Sequence, residues 1–191
     1  MAREIWLVRH GETAWSLSGA HTSRTDIPLT DAGRAQAQAL GRRMQAHQFA
    51  LVLASPMQRA LETCGLAGFG GAAQVDSDLK EWDYGAYEGR TTPDIRRERP
   101  DWFLWCDGVP DGETISQVAA RAERVLARVA PVEGAVALFA HGHVLRILTA
   151  CWLSLPPAAG GLFALGTASL STLGYERDTR VMTRWNLSVS E

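Results

Sequence analysis

Short apolar runs, each closing on a polar or charged residue, alternate along the chain with longer stretches in which apolar residues recur every three or four positions. The runs at residues 4–9, 51–54 and 135–140 are rich in Val, Leu and Ala and predict buried strands. Residues 167–175 and 181–187 predict two more, joined by a turn at Asp178-Thr179. Helical spacing predicts helices over residues 31–48, 56–66, 115–130 and 143–153, with Val118, Ala122, Val125 and Val129 on one face of the third. Two helix starts carry capping boxes. One pairs Thr114 with Gln117; the other sets Ser55 before Pro56 at the first helical position, with Gln58 three residues on. Strand and helix alternating in this way predict an α/β fold, a three-layer sandwich whose mostly parallel central sheet is flanked by helices.

The chain of 191 residues reads as one domain, 1–191. Residues 86–112, with Trp102, Phe103, Trp105 and three prolines, are the least regular stretch. They are expected to form a cap-like insertion in that domain, their aromatics making a satellite core.

The first run delivers Leu7-Val8-Arg9-His10-Gly11-Glu12-Thr13. An arginine and a histidine brought together into a glycine turn would meet a phosphate-sized anion with one fixed cation and one neutral imidazole. The ring attacks phosphorus only through a neutral nitrogen, and an ordinary pKa of about 6.5 leaves that form available near neutrality. Arg9 adds a planar fork of donors that meets two phosphate oxygens at once. Gly11 is read as allowing backbone angles closed to other residues.

Three further segments carry related chemistry. Leu51-Val52-Leu53-Ala54-Ser55-Pro56-Met57-Gln58-Arg59 places Arg59 in a first helical turn, where free N–H groups and the positive dipole end favour an anion. Ala135-Val136-Ala137-Leu138-Phe139-Ala140-His141-Gly142-His143 repeats the strand, His, Gly, helix layout, so His10 and His141 are expected on either side of one anion at the carboxyl edge of a parallel sheet. Leu79-Lys80-Glu81-Trp82-Asp83-Tyr84-Gly85-Ala86-Tyr87-Glu88-Gly89 interleaves carboxylates, aromatics and glycines without periodicity, as a functional loop does. Phosphoester cleavage needs an acid for the departing oxygen. Glu81, desolvated among aromatic neighbours, is the candidate.

In this order the four segments resemble the histidine phosphatase superfamily, also called phosphoglycerate mutase-like, from Arg3 to about Glu176. Thr22-Ser23-Arg24-Thr25-Asp26-Ile27-Pro28-Leu29-Thr30 resembles the loop and helix start that follow the nucleophile in that family. The resemblance implies a phosphomonoester hydrolase working without metal or cofactor. In it His10 becomes phosphohistidine, Arg9, Arg59 and His141 complete the phosphate pocket, and Glu81 is the proton donor. Ser16 stands where asparagine is common, and its hydroxyl donates with shorter reach. The stretch from Glu81 to Gly89, with Trp15 to Thr22, is most similar to small bacterial broad-specificity acid phosphatases and to sugar-bisphosphatases with a Trp-Asp-Tyr-Gly signature. Thr22, Ser23, Trp82, Tyr84, Gly142 and His143 are then expected to shape the substrate site with Arg9, Ser16 and Arg59.

A cofactor-dependent mutase is the alternative, since it shares the pocket and the phosphohistidine. Here Trp82-Asp83-Tyr84-Gly85 replaces the Asn-His-Tyr-Gly-type motif of the mutases, and about 60 residues separate Glu81 from His141. A non-catalytic module that binds phosphorylated ligands ranks third, because all five expected groups are present.

A net charge of −2 carries no nucleic-acid or membrane footprint. Cys64, Cys106 and Cys151 are odd in number and widely spaced, which suggests neither a disulfide framework nor a zinc ribbon but reduced thiols in the cytoplasm. Residues 144–155 are too short to span a bilayer, and no leader pattern opens the chain. The expected partner is a small phosphomonoester. A homodimer is a further arrangement, if the strand at 167–175 is an exposed edge.

Overall fold

Alternation along the first strand decides the layering. Ile5 and Leu7 point to one side, Trp6 and Val8 to the other, and all four are buried. In the computed structural model, which describes residues 2–188, that strand is β1 (Ala2–Arg9). It is followed by α1 (Ala14–Ser18), α2 (Asp31–Met44), β2 (Phe49–Ala54), α3 (Gln58–Leu66) and β3 (Ala73–Val75). The second half runs α4 (Thr92–Glu98), α5 (Leu104–Asp107), α6 (Ile115–Val129), β4 (Gly134–Ala140), α7 (Gly142–Trp152), β5 (Leu170–Glu176) and β6 (Thr179–Leu187).

The six strands form one sheet in the order β3-β2-β4-β1-β5-β6. The first four in that order run parallel, and β5 pairs antiparallel with both β1 and β6. Leu40 and Met44 of α2 and Cys64 of α3 pack with Trp6, Val8, Val52 and Phe139 on one face. Val118, Ala122 and Val125 of α6 and Leu145 and Leu148 of α7 pack with Ile5, Leu7, Leu53 and Leu138 on the other. A central strand covered on both faces must be apolar throughout, as Val136 to Ala140 are. Each fully buried Leu or Val there contributes about 1.5–3 kcal/mol over leaving it exposed.

Several boundaries differ from the sequence expectation, for identifiable reasons. The second helix ends at Met44 instead of residue 48, and β5 begins at Leu170 after Ala168, whose φ is +48°. The hairpin turns at Arg177-Asp178 (φ of Arg177 +55°), one residue earlier than expected, with Glu176 facing Thr179. The expected capping box at Thr114 and Gln117 is present, whereas the one at Ser55 is not. The Ser55 hydroxyl is engaged by His141, and α3 opens at Gln58, whose backbone N–H donates to the Asp26 carboxylate at 2.9 Å. The strand expected as a possible exposed edge, β5, is covered by β6. Trp102 and Trp105 join the main core with Tyr87 and Ile95, and do not make a separate satellite. Among the described residues no helix is long and apolar enough to cross a membrane.

Candidate active site

Three parallel strands end side by side, and the residue after each one enters the site. His10 N donates to Ala140 O at 3.0 Å and Ser55 N to Phe139 O at 2.9 Å, so the ladder runs one step past the strands and places His10, Ser55 and His141 along one edge. The His10 and His141 rings lie 5.1 Å apart, crossing at 62°.

Their tautomers follow from their partners. His10 Nδ1 lies 2.7 Å from the Gly11 carbonyl, which can only accept, so Nδ1 carries the hydrogen and Nε2 keeps its lone pair. Arg59 Nε donates to His141 Nδ1 at 3.2 Å, so the His141 hydrogen sits on Nε2 and is given to Ser55 Oγ at 2.8 Å. Burial, and after it the guanidiniums of Arg9 and Arg59, hold the His10 pKa well below its ordinary value. Burial and Arg59 do the same for His141.

Gly11 serves by its size. Its φ is not in the left-handed region; a Cβ there would lie 2.4 Å from the Gly33 carbonyl, because the start of α2 presses against this loop. The expectation of unusual backbone angles is replaced by one of close approach.

A cavity of about 90 Å³ opens beside His10. Of the residues singled out in the sequence, Arg9, His10, Ser16, Thr22, Glu81, Tyr84, Gly142 and His143 line it. Arg9 Nη1 donates to the Leu165 carbonyl, while its buried Nε has no hydrogen-bond partner among the described residues. Arg59 and His141 are fully buried beside His10 and not on the cavity wall. The Arg59 guanidinium is held by the carbonyls of Thr25 (3.1 Å), Ser23 (3.2 Å) and Thr22 (3.4 Å). That loop is tied down by Glu88, which accepts from Ser23 N, Ser23 Oγ and Thr25 N. Burial alone would raise the Glu88 pKa, but these hydrogen bonds bring it below the usual carboxylate value.

Glu81 sits at the start of α7. Its carboxyl accepts from the backbone N–H groups of Trp82, His143 and Val144, each at 2.9 Å. Backbone donors, which the sequence did not reveal, surround its carboxyl beside the expected aromatic neighbour. Tyr84 lies alongside; burial keeps its phenol protonated well above the ordinary range, and the hydroxyl and His143 Nδ1 share a hydrogen bond of 2.5 Å.

Two expected substrate contacts fall elsewhere. Trp82 is wholly inside the core, its indole N–H donating to the Glu113 carbonyl at 2.7 Å, because the loop turns inward at this residue. Ser23 faces a neighbouring cavity of about 420 Å³, and its hydroxyl is committed to Glu88. Ser16 lines the site, but its hydroxyl closes the capping box of α1 with Thr13. Three lining residues were not foreseen: Thr13, Leu165 and Arg146. The signal for Arg146 was available, as the one charge in the apolar run from Val144 to Leu153.

The buried histidines predict a pH dependence of stability. His21 is brought down to about 4 by burial, and His10, His141 and His143 lie well below the ordinary 6.5. Below pH 6.5 the unfolded chain binds protons at these rings that the folded chain does not, so stability is complete above 6.5 and is lost as pH falls toward 4. The urea midpoint is expected to be lower at about pH 5 than at about pH 7.5. Equal midpoints would show that these rings titrate normally.

Two imidazoles, two guanidiniums and a carboxyl group gathered at the carboxyl edge of a parallel sheet define an α/β enzyme site suited to a tetrahedral anion. The family model for the histidine phosphatase superfamily (branch 1) matches residues 5–188, and the chain belongs to that superfamily. It is 43% identical over 180 residues to the acid phosphatase of Mycobacterium tuberculosis, covering 92% of this chain and 88% of that protein. It is 36% identical over 182 residues to the sedoheptulose 1,7-bisphosphatase of Saccharomyces cerevisiae, covering 78% of this chain and 67% of that protein. A solved structure of an open-reading-frame product from M. tuberculosis superposes with a TM-score of 0.93 at 40% identity, covering 99% of this chain and 100% of that one. The mixed six-stranded sheet flanked by helices is thus the phosphoglycerate mutase-like fold.

Proposed function

We propose that this chain hydrolyses small phosphomonoesters through a phosphohistidine on His10. The observation that carries the reading is the bond from His10 Nδ1 to Gly11 O, which leaves the Nε2 lone pair beside a cavity that also holds Arg9 with its unpartnered Nε. The phosphoryl group enters with its oxygens on Arg9, while the charge of Arg59, buried behind the cavity wall, adds to the field that stabilises the transferring group. Nε2 attacks phosphorus in line, the ester P–O bond breaks, and Glu81 gives its proton to the leaving alkoxide. Gly11 O holds the Nδ1 hydrogen as the ring becomes cationic. Water then attacks phosphorus, its proton passes to the Glu81 carboxylate, the P–N bond breaks and phosphate leaves.

His141 enters this scheme differently from the sequence expectation. It is neutral, with both nitrogens occupied, so it serves first to orient Arg59 and meets a phosphoryl oxygen only by taking up a proton or turning from Ser55. The acid phosphatase and sedoheptulose bisphosphatase relatives support hydrolysis of small phosphorylated metabolites as the reaction class. Brief incubation with a ³²P-labelled phosphomonoester and an alkaline denaturing quench is expected to leave label on His10 that is stable in base and lost in acid. Label on a serine, or none, would refute the reading.

A further inference from the structure

The structure assigns to Arg146 the recognition of a second anionic group, carboxylate or phosphate, carried by the alcohol portion of the substrate; this rests on the phosphohistidine reading above. Arg146 and Arg9 are the two arginines that line the His10 cavity, and neither has a carboxylate within ion-pair distance among the described residues. Two part-buried or bridging arginines elsewhere in the fold are handled otherwise. Arg121 is paired with Glu113 at 2.7 Å and Arg128 with the buried Asp76 at 2.6 Å. A guanidinium taken partly out of water without a counter-ion is costly, and a site that keeps one does so where an anion is to arrive.

Its placement is built and not incidental. The Gly160 and Gly161 carbonyls accept from Arg146 Nε and Nη2 at 2.9 and 3.1 Å, and the guanidinium lies 4.5 Å over the Trp105 ring. Both glycines are needed for this seat. A Cβ at Gly160 would come within 2.8 Å of Trp105, and one at Gly161 within 3.0 Å. Nη1 has no hydrogen-bond partner among the described residues, which leaves it as the donor available to a ligand.

Position separates Arg146 from the phosphoryl clamp. Gly142 lies at the phosphoryl end, where a Cβ would be 3.4 Å from Arg9 Cζ. Arg146, four residues on, occupies the same face of α7 one turn further along, about 6 Å away. Arg59 already has the Asp26 carboxylate 3.9 Å away, so of the two arginines on the cavity wall Arg9 stands at the phosphoryl end and Arg146 beyond it. The group it matches therefore sits on the leaving alcohol, a few bonds from the ester oxygen.

The test compares kcat/KM for 3-phosphoglycerate and fructose 1,6-bisphosphate with that for p-nitrophenyl phosphate and glycerol 2-phosphate. These pairs separate a second carboxylate, a second phosphate and no second anion. Wild type is expected to favour at least one doubly anionic substrate over glycerol 2-phosphate. Arg146→Gln should lower that preference by about 30-fold, chiefly through KM, the loss expected for one charge-assisted hydrogen bond. Arg146→Lys, which keeps the charge and loses the fork, should restore part of it. Equal losses on all four substrates would overturn the assignment, placing Arg146 on the transferring phosphoryl or in the scaffold. A wild type with no preference for either doubly anionic substrate would overturn it without any variant. Labelled His10 with undiminished turnover of p-nitrophenyl phosphate in that case would leave the hydrolase reading standing; loss of the label would remove both.

Discussion

Replacing His10 with alanine is expected to lower phosphomonoester turnover by ~10⁴-fold or more, with the fold unchanged. The reason lies in what remains. Arg9 and Arg59 are held by carbonyls of Leu165, Thr22, Ser23 and Thr25, none of which depends on the His10 ring, so the phosphate clamp survives its removal. Substrate binding should therefore persist while covalent transfer stops. Removing a neutral ring leaves the charges of Arg9 and Arg59 in place, so inhibition by inorganic phosphate should be kept. Steady-state assays of His10→Ala beside phosphate inhibition and thermal unfolding check this. Turnover within tenfold of wild type would eliminate the phosphohistidine route.

Glu81→Gln is expected to lower kcat by about 10²–10³-fold for alkyl phosphates and by far less for p-nitrophenyl phosphate, whose leaving group departs without a proton. This dependence on the leaving group is what a scaffold role would not produce. The variant also has a structural cost that can be read in advance. Glu81 Oε1 accepts from Trp82 and Val144 and Oε2 from His143, whereas glutamine offers one accepting oxygen and an NH₂ group. At least one backbone N–H at the start of α7 then faces another donor, a loss of about 1–3 kcal/mol in stability. Unfolding midpoints measured beside the rate series separate the two effects. A uniform loss of rate across leaving groups would assign Glu81 to positioning only.

The strands that carry the site were legible because period and length are local. The runs ending at Arg9, Ala54 and Ala140 are apolar on both faces, and a sheet covered on both sides leaves no other arrangement for them. The Arg9-His10-Gly11 and His141-Gly142 segments were likewise legible, since chemistry and turn residues stand adjacent in the chain. Ser55 was misread because its local partner, Gln58, competes with a distant one, and His141 wins only once β2 and β4 are side by side. Trp82 was misread for a related reason: an aromatic in an aperiodic loop carries no sign of which way the loop turns. Arg146 was passed over because helical periodicity shows that a face is buried without showing that it borders a cavity.

The sequence by itself determined the α/β sandwich, the strand ends that bear His10 and His141, and the family, because each depends on residues close together in the chain. The tertiary structure alone decided the histidine tautomers, the backbone donors around Glu81, the loop that grips Arg59 and the cavity position of Arg146. Those depend on which distant carbonyl or N–H group comes within 3 Å or so, and hydrogen bonding acts only at that range. The chain order holds the groups, but the sheet register and the crossing of α7 over its edge set their distances.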